Sequence, residues 1–227
     1  CMINRFHRDK EVRAAQLLLQ ERVPDKPKYI QHRALSRIFA RPSKPAAIGS
    51  TRLFSAPHGM QPEVGLLSNG SFASIITTTG SGYTSFNGIM VNRWREDPVI
   101  DPWGSYMYIR DVNSDQAWSP SYQPMRVQPD EQHIRFELDK IKFERVDGSV
   151  RTELEICVAP EHPAEIRRLT LTNLSKQPIM LEITTFQELS LSLPAADDAH
   201  PAFSKLFIRT EYDEPADCLI AGRRPRE

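Results

Sequence analysis

The period of the apolar positions changes once along this chain. In residues 9–22, DKEVRAAQLLLQER, Val12, Ala15, Leu18 and Leu19 recur at helical spacing, Asp9 stands at the capping position and Pro24 ends the run. One short helix cannot stabilise itself by burying so small a stripe, so residues 1–22 are expected to be the helix at the end of a preceding helical domain. Residues 23–48 carry four prolines, several basic residues and little periodicity, and read as a linker with a domain boundary near Gly49.

From Phe54 onward the period is two. Phe72–Thr79 is a β-branched run closed by a Gly-Ser-Gly turn, and Ser105–Arg110 alternates into the turn DVNSD. His133–Leu138 sets Ile134, Phe136 and Leu138 against His133, Arg135 and Glu137. Ile141 and Phe143 continue the inward row, Asp147–Gly148 marks a hairpin, and Leu154, Ile156 and Val158 return from it. Leu169 and Leu171, the loop TNLSKQP, and Ile179, Leu181 and Ile183 follow, with two more strands expected at Phe203–Thr210 and Cys218–Ala221. Many short strands with frequent turns predict an all-β, antiparallel sandwich over residues 49–227.

Composition narrows the function classes. With 29 basic and 29 acidic residues in 227, the chain has no positive excess, which argues against nucleic acid as a partner. No apolar run has the length of a membrane span, and the opening CMINRFHRDKEVR has no apolar signal segment, so this segment is expected to be soluble. Cys1, Cys157 and Cys218 are odd in number and widely spaced, which fits neither a disulfide framework nor a metal site; no cofactor is called for. Cys157, inside LEICVAP, reads as a small buried hydrophobe. The start at Cys1 and the end at AGRRPRE read as cuts in a longer polypeptide.

The candidate chemistry is concentrated between Gly65 and Ser119, where all three tryptophans and most of the glycines fall. Aromatic faces flanked by Asn, Asp and Arg are suited to sugars: the ring takes a C–H face and the planar polar groups take hydroxyls. The knot RWREDPVIDPWG contains Glu96, Asp97 and Asp101, and two carboxylates flanking a bond are what a glycosidase requires. Their close spacing beside Arg93 and Arg95 favours ion pairing within a loop instead, and no catalytic residue is assigned. Trp103, ahead of YIRDVNSDQAWS, and Trp118, within it, are either stacking platforms or plugs at the sandwich edge. The stretch TTTGSGY follows a strand and precedes no helix, so it is a β-turn and not a phosphate cradle.

Together, LLSNGSFASIITTTGSGYTSF, NRWREDPVIDPWGSYMYIRD, WSPSYQP, TNLS and AHPAFSKLF resemble the N-terminal β-sandwich of the family 94 glycoside phosphorylases, formerly glycosyltransferase family 36. The version they resemble is that of cyclic β-1,2-glucan synthases. The resemblance implies a galactose-mutarotase-like supersandwich that binds carbohydrate beside a catalytic (α/α)6 barrel, in which a β-glucosidic bond is reversibly phosphorolysed. It also implies a larger membrane-associated parent, with this segment on the cytoplasmic side of the inner membrane. On this basis Trp94, Trp103, Trp118 and Tyr122 are the expected stacking residues. Arg93, Arg95, Asp97, Asp101, Arg110 and Asp111 are the expected hydroxyl-binding residues. Two other readings compete: an interface module that packs on the barrel or on a twin subunit to form a homodimer, and a self-sufficient mutarotase-type enzyme. The last needs a histidine and a carboxylate in one cleft, and nothing in the sequence places His133, His162 or His200 near one.

Overall fold

The computed structural model describes residues 51–59, 63–97 and 99–224, so the helix expected at 1–22 and the linker at 23–48 lie outside the described residues. Fifteen strands and two short helices are described. In chain order they begin with β1 (Arg52–Phe54), β2 (Val64–Ser68), β3 (Phe72–Thr77), β4 (Gly82–Phe86) and β5 (Ile89–Asn92). Then come β6 (Ser105–Asp111), β7 (Ala117–Trp118), β8 (Glu131–Phe136), β9 (Lys140–Asp147) and β10 (Val150–Val158). The rest are β11 (Glu165–Asn173), β12 (Leu181–Gln187), β13 (Leu189–Ser192), α1 (Pro194–Ala199), α2 (Pro201–Lys205), β14 (Ile208–Asp213) and β15 (Cys218–Arg223).

Alternation decides which residues meet. One sheet runs β1-β8-β9-β10-β11 and a second β13-β5-β4-β3-β2, with β12-β6-β7 and the hairpin β14-β15 completing the set. Ile134 and Phe136 of β8, Ile141 and Phe143 of β9, and Leu154 and Ile156 of β10 point the same way and pack on Leu67 and Ile76 of the second sheet. That shared apolar layer makes the sandwich, because each sheet buries the face that its alternation leaves apolar. A smaller cluster, Ile109, Trp118 and Val150, joins the three-stranded sheet to the first.

Three strand expectations are corrected. Leu138 does not join the inward row of β8: the strand ends at Phe136, Glu137 N–H bonds the Lys140 carbonyl in a turn, and Leu138 is exposed. Cys157 shares a face with Glu153 and Glu155, opposite the inward Leu154 and Ile156, and is partly exposed rather than buried. Phe203 lies in α2, which starts at Pro201 and in which Ser204 N–H bonds the His200 carbonyl; the strand begins only at Ile208.

The Thr77–Tyr83 stretch is the tight turn from β3 to β4, closed by Thr77 N–H to the Ser81 carbonyl and Gly80 N–H to the Thr77 carbonyl. Gly82 is required there. Its φ is +143°, and a Cβ would lie 1.9 Å from the Ile75 carbonyl oxygen. The other long-range tie is ionic. Arg93 and Asp197, each 3 % exposed, form a two-toothed pair (Nε–Oδ2 2.6 Å, Nη2–Oδ1 2.7 Å), and Arg93 Nη1 also bonds Glu188 at 2.7 Å. This clamps the residue just after β5 to α1 across 104 residues of sequence.

Burial pushes the Asp197 carboxyl up, but Arg93 and the Ser204 hydroxyl outweigh it and hold it below its ordinary 3.8. A depressed carboxyl contributes stability that is present above pH 3.8 and is lost as pH falls through the lower, folded value. Asp197→Asn is therefore expected to cost about 3 kcal/mol in denaturant unfolding at pH 7 and to flatten the decline in stability below pH 4. Full retention of stability at pH 7 would remove the clamp from this account. Gly82→Ala should cost at least about 2 kcal/mol in the same measurement.

Candidate functional site

Four segments close around one groove of 430 Å³ on the β3–β4 end of the sandwich. Pro57 and Glu63 are tied to the turn by the Thr78 hydroxyl donating to the Pro57 carbonyl at 2.7 Å and by Thr78 N–H donating to the Glu63 carbonyl. Trp94, Glu96, Asp97 and Val99–Asp101 come from the connection between β5 and β6. Residues 121–123 brace the back: Gln123 N–H bonds the Thr79 carbonyl, and its side-chain amide donates to the Ile100 carbonyl at 2.5 Å. Gly80 lets this brace approach, since a Cβ there would lie 2.1 Å from Ser121 Oγ.

Side chains of residues 93–96 go alternately to two sides. Arg93 and Arg95 turn to one side, Arg93 into the Asp197 clamp and Arg95 over the Trp103 ring at 5.8 Å. Trp94 and Glu96 turn to the other and line the groove. Trp94 rests on Tyr83 (ring centroids 5.4 Å apart, tilted 41°), which fixes its plane while leaving it partly exposed.

Asp97 and Asp101 also reach the groove, and both shape the loop that holds them. Asp97 Oδ1 accepts from the backbone N–H of Val99 (3.0 Å) and Ile100 (2.9 Å). Asp101, at φ +48°, accepts on Oδ2 from the Thr77 and Thr79 hydroxyls at 3.1 and 3.0 Å. A carboxylate has about four acceptor positions, so each keeps capacity for a ligand hydroxyl. Behind them the hydroxyl chain runs through Ser81 to Tyr106, whose phenol burial pushes up to about 12. It is a donor throughout the neutral range.

Of the expected site residues, the groove thus gathers Trp94, Asp97 and Asp101, with Tyr122 one contact behind, edge-on to His58 at 4.7 Å. Arg93 is occupied by its clamp. Trp103 is not among the groove residues; Arg95 covers it, and the Trp103 carbonyl accepts from Gly82 N–H. Arg110 and Asp111 lie at the far end of β6, about 20 Å along the strand from Ser105. There Arg110 pairs with Asp115 and Glu182, and the Ser114 hydroxyl and Asn113 N–H hold Asp111 below its ordinary value as it forms the β6–β7 turn. Trp118 is 4 % exposed within the smaller core cluster and donates its indole N–H to Thr152 Oγ1 at 3.2 Å. It has no face to offer a sugar.

Sequence reading missed His58, Glu63, Thr77, Thr79 and Tyr83, all of which line the groove or support its aromatic floor. Nothing in local spacing marks them, because they come from two stretches well before Trp94 in sequence. His58 lines the groove with Glu63, Glu96, Asp97 and Asp101, while His133 is exposed on β8 opposite Glu144.

The sequence model described as "Glycosyl hydrolase 94, supersandwich domain" matches residues 49–227. The chain belongs to the glycosyl hydrolase 94 family. It is 36 % identical over 231 residues to cyclic beta-(1,2)-glucan synthase NdvB of Rhizobium meliloti (strain 1021), which covers 97 % of this chain and 8 % of that protein. It is 27 % identical to the N,N'-diacetylchitobiose phosphorylase of Vibrio proteolyticus, over 70 % of this chain and 21 % of the phosphorylase. With the solabiose phosphorylase of Paenibacillus borealis it shares 25 % identity, over 79 % of this chain and 23 % of that enzyme. The chain therefore spans a quarter or less of each of these family 94 relatives. Its two facing antiparallel sheets, with the further three-stranded sheet on one of them, are the supersandwich of that family.

The burial of Trp118 separates it from the groove tryptophan. Trp118→Ala is expected to cost about 3–5 kcal/mol in denaturant unfolding, as for other buried large aromatics. A Trp118→Ala chain of undiminished stability would contradict its place in the core.

Proposed function

We propose that this supersandwich holds a β-glucan segment along the Trp94 groove, supporting a catalytic (α/α)6 barrel carried elsewhere in its parent polypeptide. One observation carries the reading. Trp94, braced by Tyr83, stands open beside Glu96, Asp97 and Asp101, so an apolar face and several acceptors converge on one groove. The relatives, a cyclic beta-(1,2)-glucan synthase, an N,N'-diacetylchitobiose phosphorylase and a solabiose phosphorylase, support a saccharide as the ligand. The synthase, matched over nearly the whole chain, supports a β-1,2 linkage. In this reading the segment is not catalytic alone, and the parent is a membrane-associated protein with this segment on the cytoplasmic side. No helix of the described residues is long and apolar enough to cross a membrane.

A second reading has its own observation. Ile183, Phe186, Leu206, Tyr212 and Leu219, from β12, the C-cap of α2 and the β14–β15 hairpin, are about half or more exposed. A segment that buried them against the barrel or a twin subunit would need no ligand of its own.

Calorimetric titration with linear and cyclic β-1,2-glucans, and a cellulose oligomer as control, tests the first reading. Saturable, linkage-selective heat is expected, and Trp94→Ala should weaken binding about tenfold. A folded sample that gives no heat, or binding unchanged in Trp94→Ala, sinks the groove assignment. Concentration-dependent self-association in sedimentation would then favour the interface.

A further inference from the structure

A second pocket, of 400 Å³, opens where three sheets meet, and it shares no lining residue with the Trp94 groove. Phe72, Thr84, Phe86 and Val91 come from β3, β4 and β5, Glu165 from β11 and Gln187 from β12. Its size is within the ~300–1,000 Å³ of small-molecule sites. Phe72 is buried, while Phe86, tilted against it at 6.5 Å, is 37 % exposed at the mouth.

The floor is ionic. Glu165, its side chain 13 % exposed, accepts on Oε2 from the hydroxyls of Ser74 and Thr84 and on Oε1 from Arg167 Nε at 2.6 Å. Burial pushes this carboxyl up, but Arg167 and the two hydroxyls outweigh it and hold it below its ordinary value. Glu165 is therefore an anion at neutral pH, with one of about four acceptor positions still open.

These groups sort ligands by chemistry. Glu165 and Arg167 neutralise each other, so neither an anion nor a lone cation meets an uncompensated opposite charge. A hydrocarbon chain would cover a charged floor without satisfying it. A neutral ring with apolar C–H faces and a hydroxyl edge meets every group: Phe86 on its face, the open Glu165 position as acceptor, and the Gln187 amide as donor and acceptor.

We propose that this pocket is a second saccharide site, seating one neutral polyhydroxyl ring against Phe86 with its hydroxyls on Glu165 and Gln187. It is independent of the groove in position and in residues. A glucan chain engaging both sites would gain affinity through linkage of two weak contacts.

The test is an amide-shift titration of the ¹⁵N-labelled 227-residue chain with sophorose, the β-1,2-linked glucose disaccharide. Saturable shifts are expected at the Phe86 and Val91 amides and at the Gln187 side-chain amide, and they should persist in Trp94→Ala. Phe86→Ala and Gln187→Ala should each weaken that binding about fivefold. Gln187 is exposed and its strand pairs through the backbone, so the Gln187→Ala chain should keep a dispersed spectrum. Shifts confined to Trp94 and its neighbours would overturn this site and leave the groove standing. Shifts at Phe86, Val91 and Gln187 that both pocket variants leave unweakened would also overturn it. Shifts at those residues with none near Trp94 would support this site and remove the groove, and silence at both would overturn both.

Discussion

The Arg93–Asp197 pair is the contact on which the groove depends. Two nearly inaccessible charges are tolerable only because the guanidinium fork and the carboxylate match in geometry and Glu188 takes a further donor. Arg93 is committed inward to this pair. Its neighbours Trp94 and Glu96 line the groove, while Arg95 stacks on Trp103. A buried ion pair thus anchors the segment that carries a partly exposed aromatic.

A second constraint acts from the turn between β3 and β4. Gly80 and Gly82 permit backbone approaches that no side chain would allow, one to Ser121 and one to Ile75. The three consecutive threonines before them then spend their polar groups in different directions. Thr78 reaches the Pro57 carbonyl, while Thr77 and Thr79 reach Asp101. Four chain segments are pinned by one turn, so the groove is built from a rigid corner and not from a free loop. Pre-formed sites of this kind lose little ordering entropy on binding.

Seven of the ten residues expected to bind sugar separate into three kinds once folded, while Arg95 stacks on Trp103 and Tyr122 meets His58. Trp94, Asp97 and Asp101 share the groove. Arg93 and Trp118 hold the structure together, one by charge and one by packing. Arg110 and Asp111 organise a distant turn. All ten are polar or aromatic and lie within thirty residues of each other in sequence, and that proximity is what made them look alike. Sequence distance carries little information in a sandwich, where a strand runs about 20 Å before the chain turns back.

The sequence by itself determined the all-β class and the inward rows of β8, β9 and β10, because period two is a local property: each side chain's face follows from its neighbours' faces. Ile134 and Phe136, Ile141 and Phe143, and Leu154 and Ile156 were all legible this way, as was the turn at Thr77–Tyr83. The motif order was equally legible as a family resemblance. Only the tertiary structure decided that His58, Glu63 and Tyr83 meet Trp94, that Asp197 answers Arg93, and that Trp118 is interior. Each of those facts depends on which sheets face each other. That is set by long-range burial of apolar layers, and no window of sequence contains both partners.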